Sequence, residues 1–203
     1  PIMAVSPTVD MAKRNSRQRI DPLIEECTAL KSVVSSPKAR DKGNTILSKD
    51  FQGGVLVMTG ANSAVGLRSM PARYLFMDEI DGYPPDIDGE GDPILLAERR
   101  TATFSKRKKI FLVSTPTVKG LSNIEREFSI TDQRYYVVPC PYCHKFQRLV
   151  WENIHSTEEA VMYECEHCHT LIAEHYKTQM LANGFWQPSA PGDGISAGFH
   201  LSS

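Results

Sequence analysis

The sequence predicts an α/β fold, a mostly parallel sheet with a small cysteine-rich module inserted after it, on three observations. Arg73-Tyr-Leu-Phe-Met-Asp-Glu-Ile-Asp81 is an apolar run without polar alternation that ends abruptly in acid, the pattern of a strand buried on both faces. A second apolar run, Ile110–Val113, follows after one helix-length interval and ends in Ser114-Thr-Pro-Thr117, which completes a βαβ unit. Cys140-x-x-Cys143 and Cys165-x-x-Cys168 then form two paired knuckles, 21 residues apart. Each knuckle aims two thiolates at one point, so the two together make a closed tetrahedral Zn²⁺ site of the zinc-ribbon type, with no open position for catalysis.

Composition narrows the function classes. Hydrophobic content of 41% and charged content of 23% are those of a soluble globular protein. A formal net charge of −1 gives no global pull towards nucleic acid, so any DNA contact must come from local patches. No apolar run reaches membrane-spanning length, and no signal-peptide pattern is present. CxxC pairs without a secretory context point to metal rather than disulfides. The chain opens inside an apolar segment and closes on another, so we read it as an internal fragment of a longer protein.

In order along the chain, Ile2–Ser6 reads as a strand. Thr8 caps a helix towards Arg19, and Asp21-Pro22 restarts it with Asp as N-cap and Pro at the first helical position. Leu23, Ile24, Cys27 and Leu30 recur at helical spacing as a core stripe, with Cys27 a small buried apolar residue. Lys13, Arg14, Arg17 and Arg19 read as a solvated face. Ser35–Asn44 is a polar linker. Thr45–Phe51 and Val55–Thr59 form a hairpin through Gln52-Gly53-Gly54. Gly60 to Gly66 leads into a short helix and is not a Walker A loop, since no Gly-Lys-Ser/Thr follows its glycines. Asp86 to Gly91 has part of a calcium-loop pattern, but Ala97 stands where the twelfth-position Glu belongs, which excludes calcium. Asp92-Pro93 opens a helix through about Phe104, followed by the basic run Lys106–Lys109. Lys177–Asn183 is a last helix.

The chemistry gathers at the two strand ends. Carboxylates at the carboxyl end of a parallel strand sit where open α/β sheets bind ligands. In P-loop ATPases this is the Walker B element, where one acid holds Mg²⁺ through water and a following Glu polarises the attacking water. Small hydroxyl residues on the adjacent tip hydrogen-bond towards the γ-phosphate and relay its occupancy, as in helicase-like ATPases. Around the cysteines, His144, His167 and His169 lie close enough to replace a ligand or to support one. Lys145, Arg148, Tyr142, Phe146 and Trp151 suit either a DNA surface or the packing of a stapled module.

Together these residues resemble the large terminase subunit of tailed bacteriophages, the GpA-type (lambda-like) family. The resemblance runs over nearly the whole chain: Pro7-Thr8, Lys49-x-Phe51-x-Gly-Gly54, Gly60-Ala61-x-Ser63, Leu67-Arg68-Ser69, Leu75 to Asp81, Gly91-Asp-Pro93, Ser114 to Thr117, Arg134-Tyr-Tyr, the two knuckles, and Met180-Leu-x-x-Gly184-x-Trp186. It implies an ATP-driven motor subunit that moves double-stranded phage DNA into a procapsid, its parent protein also cutting the concatemer with a separate nuclease domain. It implies Asp78 as the Mg²⁺ acid and Glu79 as the catalytic Glu. Ser114, Thr115 and Thr117 then couple hydrolysis to movement, and Arg68, Arg99 and Arg100 are the candidates for an arginine acting in trans. On this reading residues 1–134 are the later part of a partial RecA-like P-loop NTPase core, with Walker A upstream. Residues 135–175 are the zinc ribbon, and 176–203 a helix and the start of a linker towards the nuclease. The fragment alone is expected to be inactive. Implied cofactors are ATP, Mg²⁺ and Zn²⁺. Implied partners are phage DNA, the terminase small subunit, the portal and procapsid, and further copies of the subunit in a ring, in the host cytoplasm and without a membrane. Two rival readings are a helicase-like DNA translocase, which would carry a second lobe of helicase motifs, and a non-catalytic zinc-ribbon DNA-binding module, which would bind no nucleotide.

Overall fold

The computed structural model describes residues 1–34, 44–158 and 160–201, and the polar linker predicted from Ser35 falls, as far as residue 43, outside them. The chain divides into two compact units, Pro1–Ile124 and Glu125–Ser203.

The first unit is a five-stranded sheet with helices. Strand β1 (Ile2–Ser6) leads into helix α1 (Val9–Asn15), whose first turn is capped by Thr8 Oγ1 accepting from Met11 N at 3.2 Å. The helix does not stop and restart at Asp21. It widens into a π-helical stretch, Ser16–Ile20, and continues as α2 (Asp21–Glu26) with Asp21 in helical conformation and no side-chain cap. Pro22 explains the widening: it lacks an N–H, and its ring displaces the carbonyl one turn back. Asp21 pairs instead with the nearly buried Lys49 Nζ at 2.8 Å.

The expected core stripe along Leu23–Leu30 is also corrected. Cys27 is extended and splits α2 from α3 (Thr28–Val33), which resets the helical phase, and neither helix has a buried residue; Leu23 is 53% exposed and Cys27 half-buried.

Strands β2 (Ser48–Phe51) and β3 (Gly54–Gly60) form the predicted antiparallel hairpin, with Gly53 at φ 86° in its turn. A short helix α4 (Ala64–Leu67), capped by Ser63, precedes β4 (Tyr74–Asp78). Helix α5 (Pro93–Glu98), capped by Asp92 Oδ1 accepting from Ile94 N at 2.8 Å, tightens into a 3₁₀ turn at Arg99–Phe104 before β5 (Lys109–Val113). The sheet order is β2-β3-β1-β4-β5, with β3, β1, β4 and β5 mutually parallel.

One face of this sheet carries the core. Met3, Val5, Leu75 and Met77 are 0–1% exposed and pack with Leu67, Ile80 and Ile94. Each such side chain contributes about 1.5–3 kcal/mol relative to exposure. The other face of β4 and β5 is not covered within the unit: Phe76 and Phe111 are 49% and 50% exposed, stacked on each other with centroids 4.6 Å apart. Burial on both faces, expected for β4 and β5, therefore holds for neither strand here. An unbroken apolar run marks a strand but does not report which of its faces is covered.

The second unit begins within helix α6 (Asn123–Ser129), whose first two residues belong to the first unit. Strand β6 (Arg134–Pro139) pairs with β7 (Phe146–Gln147). A three-stranded meander contains β8 (Ile154–Ser156), β9 (Val161–Glu164) and β10 (Leu171–Ala173). Helix α7 (Lys177–Ala182) then returns the chain to β6, beside which β11 (Phe185–Pro188) and β12 (Phe199–His200) lie. Among the described residues no helix is long and apolar enough to cross a membrane.

Candidate functional sites

The acidic and hydroxyl tips meet at the carboxyl edge of the parallel sheet. Asp78, the last residue of β4, stands in register with Val113, the last of β5, so Ser114 emerges beside the acidic cluster. Asp78 is half-buried and Glu79 exposed. Glu79 takes a left-handed conformation, φ 55° and ψ 48°, which costs a residue with a Cβ about 1–2 kcal/mol. Such strain persists only where neighbours fix the backbone. Here the chain leaves Glu79 directly into a 3₁₀ turn, Ile80–Gly82, pinned by Ile80 in the core and by Tyr83. The Tyr83 hydroxyl donates to Val5 O at 2.9 Å. Burial raises the Tyr83 pKa well above the ordinary phenol range, with the Asp78 charge adding, so this donor persists at all physiological pH.

The residue that joins the tips is Asp81, which the sequence reading placed in the acidic cluster without a role. Its Oδ2 accepts from both Thr117 N and Thr117 Oγ1 at 3.0 Å, and its Oδ1 from Ile124 N at 2.8 Å. Its own N–H donates to Ser114 Oγ at 3.1 Å. Burial acts to raise the Asp81 pKa. The Ile124 N–H, the Ser122 hydroxyl and both Thr117 donors outweigh it and hold the carboxyl below its ordinary range. Thr115 is exposed. Only the position of Asp81, three residues past Asp78, hinted at this from sequence; its partners, 33 to 43 residues away, were not legible.

The three candidate arginines are placed differently. Arg68 pairs with Glu90 at 2.9 Å and donates from Nε to Ala64 O. Arg99 is exposed. The Arg100 carbonyl accepts from Ala72 N, at the amino end of β4, about 13 Å of strand from Asp78. The Arg100 Nε is buried without a hydrogen-bond partner among the described residues.

In the second unit the four predicted ligands converge. The Sγ atoms of Cys140, Cys143, Cys165 and Cys168 all lie within 4.8 Å of one another, with Cys140–Cys168 and Cys143–Cys165 at 3.8 Å. Thiolates about 2.3 Å from a tetrahedral Zn²⁺ stand about 3.8 Å apart, so the donor set fits that ion. The two knuckles repeat one geometry. Tyr142 N and His167 N each point at the first Sγ of their knuckle at 3.4 Å. His144 N and His169 N donate to Cys140 O and Cys165 O at 3.0 and 2.9 Å, and both histidines are left-handed, at φ 60° and 56°. Hydrogen bonding to Thr170 holds the Cys168 thiol down to about 6, towards the ligating thiolate.

Two of the three histidines have other partners: His167 Nε2 lies 3.0 Å from Phe146 O, and His169 Nδ1 3.0 Å from Glu164 Oε1. Of the residues suited to a DNA surface, Arg148 stacks on Tyr135, Tyr142 packs on Tyr176 and Phe146 on Phe185, while Trp151 is 77% exposed.

A mixed α/β sheet with acid and hydroxyl side chains on one carboxyl edge is a ligand-binding class of fold. Comparison with known families is more specific: residues 1–186 match the family described as phage terminase large subunit gpA, ATPase domain, and the chain belongs to it. It is 29% identical to the terminase large subunit of Enterobacteria phage P21, over 89% of this chain and 29% of that protein. It is 27% identical to the terminase large subunit of Escherichia phage lambda, over 79% of this chain and 27% of that protein. The chain thus spans less than a third of the length of these relatives. No solved structure matches it.

Proposed function

We propose that the chain is part of the ATPase core of a DNA-packaging motor, with the P-loop that cradles the phosphates upstream of Pro1. On this reading residues 1–134 belong to a RecA-like core, 135–175 form a zinc ribbon, and 176–203 lead towards a nuclease domain of the parent protein. The observation that carries the proposal is the pairing of the Asp78-Glu79 tip with the Ser114–Thr117 tip on adjacent parallel strands.

Asp78, half-buried and fixed by the β4–β5 register, is suited to hold a hydrated Mg²⁺. Glu79, exposed and aimed by its left-handed backbone, is suited to orient a water. Mg²⁺, when bound, neutralises charge on the transferred phosphoryl group. Ser114, Thr115 and Thr117 offer hydroxyls that can change partners at little cost. Arg68 is occupied by Glu90 and the Arg100 Nε is buried, which leaves the exposed Arg99 as the freest of the three candidates to act on a neighbouring subunit. Zn²⁺ on Cys140, Cys143, Cys165 and Cys168 would tie the ribbon's strands together and stay out of the chemistry. Double-stranded phage DNA, the small subunit, the portal and further copies in a ring are the partners this function requires, in the host cytoplasm.

The test is steady-state ATP hydrolysis by the full-length protein across a Mg²⁺ titration. Asp78→Asn is expected to lower turnover roughly 100-fold or more and to move the Mg²⁺ requirement upwards. An unchanged Mg²⁺ profile would remove Asp78 from the metal site.

A further inference from the structure

Asp81 is engaged more fully than either acid of the proposed catalytic pair. Its two carboxylate oxygens and its backbone N–H reach four separate places: the Thr117 backbone and hydroxyl, the Ser122 hydroxyl, the Ile124 N–H, and the Ser114 hydroxyl. The adjoining turn is tied the same way, with Asn123 Nδ2 donating to Ile80 O at 3.0 Å. One side chain thus fastens the end of β4 to the end of β5 and to the start of α6. Two residues before it stands Glu79, in a left-handed conformation that only a fixed neighbour would maintain.

The chemistry of Thr117 makes this arrangement two-state. A hydroxyl has one proton and donates to one acceptor at a time. In this structure that proton goes to Asp81 Oδ2. If the Thr117 hydroxyl is to meet a phosphate oxygen, it must first leave Asp81. A terminal phosphate is a strong anionic acceptor and can compete for it, while the Thr117 N–H and Ile124 N–H keep Asp81 itself in place. Release of the hydroxyl then loosens the Ser114–Thr117 tip relative to a turn whose first residue follows Glu79.

We propose that Asp81 is a positioning residue that stores the Thr117 hydroxyl in the resting state and links its release, on binding of a nucleoside triphosphate, to the placement of Glu79. This rests on the reading of Asp78 and Glu79 as an ATPase centre and adds to it the acceptor that the hydroxyl tip leaves.

A double-mutant cycle in the full-length protein tests it, with Asp81→Asn, Thr117→Val, the pair, and Glu79→Gln alongside. Asp81→Asn turns one of two acceptor oxygens, both facing donors, into a donor. Thr117→Val removes only the hydroxyl and keeps the backbone N–H. Each single variant is expected to lower kcat about 10-fold with KM for ATP within about twofold, and the pair to be no slower than the slower single variant. A merely structural role would lower Tm and the active fraction, which reduces apparent kcat alone, so kcat is expressed per nucleotide-binding site titrated in each variant; a structural role then returns it to the wild-type value. If Asp81→Asn does not fold, Thr117→Val alone must still show the loss in kcat at unchanged KM. Multiplicative losses near 100-fold in the pair, or wild-type kcat in Thr117→Val, overturn the proposal while Glu79→Gln remains inactive. Turnover that survives Glu79→Gln would instead overturn the underlying reading of the site, and the role of Asp81 with it.

Discussion

At the scale of single residues, Asp81 is where electrostatics and geometry agree. Its carboxyl sits below the ordinary value near 3.8 because donors from Ile124, Ser122 and Thr117 outweigh the burial that would raise it. A depressed folded-state pKa contributes stability above the unfolded-state value and loses it as the pH falls through the folded value. Asp81→Asn is therefore expected to destabilise the first unit at neutral pH by about 1–3 kcal/mol, as lost hydrogen bonds to a charged group do. The gap to wild type should narrow as the pH drops below 3.8 and through the lowered folded value. Denaturant titrations at pH 7 and pH 3 check this, and an equal gap at both would mean that the carboxylate form is not the one being held. The sequence announced the acid at Asp78 and Glu79 because an apolar run stopped there. It did not announce the clasp, since nothing local distinguishes an acid that meets solvent from one that meets Thr117 and Ile124.

At the scale of elements, close approach and the four-cysteine cluster set the limits. Gly60, at the end of β3, faces the Thr8–Val9 backbone at the start of α1, and a Cβ there would collide with main-chain atoms that have nowhere to go. Gly60→Ala is expected to cost about 1–3 kcal/mol, read as a lower denaturant midpoint, and a wild-type midpoint would show that α1 can shift. In the second unit the twin knuckles should bind one Zn²⁺ per chain. Cys165→Ser should abolish stoichiometric zinc in elemental analysis and remove the cooperative unfolding of that unit, because thiolate ligation there is folding free energy. Retained zinc in that variant would exclude Cys165 as a ligand. The knuckles were legible because CxxC spacing fixes geometry within four residues. The stripe from Leu23 to Leu30 misled for the opposite reason. Helical spacing shows an amphipathic pattern, but it cannot see the break at Cys27, where the phase resets. Pro22 was legible as a helix-compatible proline, yet the π-helical widening before it was not, since the neighbouring turn accommodates it without any change of residue type.

At the scale of the whole chain, the family assignment and the sheet edge say complementary things. The family match covers residues 1–186 and names an ATPase domain, and the sheet brings an acidic tip and a hydroxyl tip together on one edge. The βαβ order was readable because each strand end carries its own chemistry. Which sheet face is covered was not, and Phe76 with Phe111 shows why: both sit in apolar runs and both are half exposed. The basic run Lys106–Lys109, all exposed, separates the motor reading from a purely DNA-binding one. Charge reversal there in the full-length protein should weaken both DNA binding and DNA-stimulated hydrolysis if the chain belongs to a motor. It should weaken DNA binding alone if the α/β unit is non-catalytic. The proposed action of Glu79 on the water at an ATPase centre is decided by Glu79→Gln in the full-length protein, with ATP binding and ATP turnover measured side by side. Binding close to wild type with turnover abolished is the expected outcome; turnover at the wild-type rate would remove Glu79 from that role.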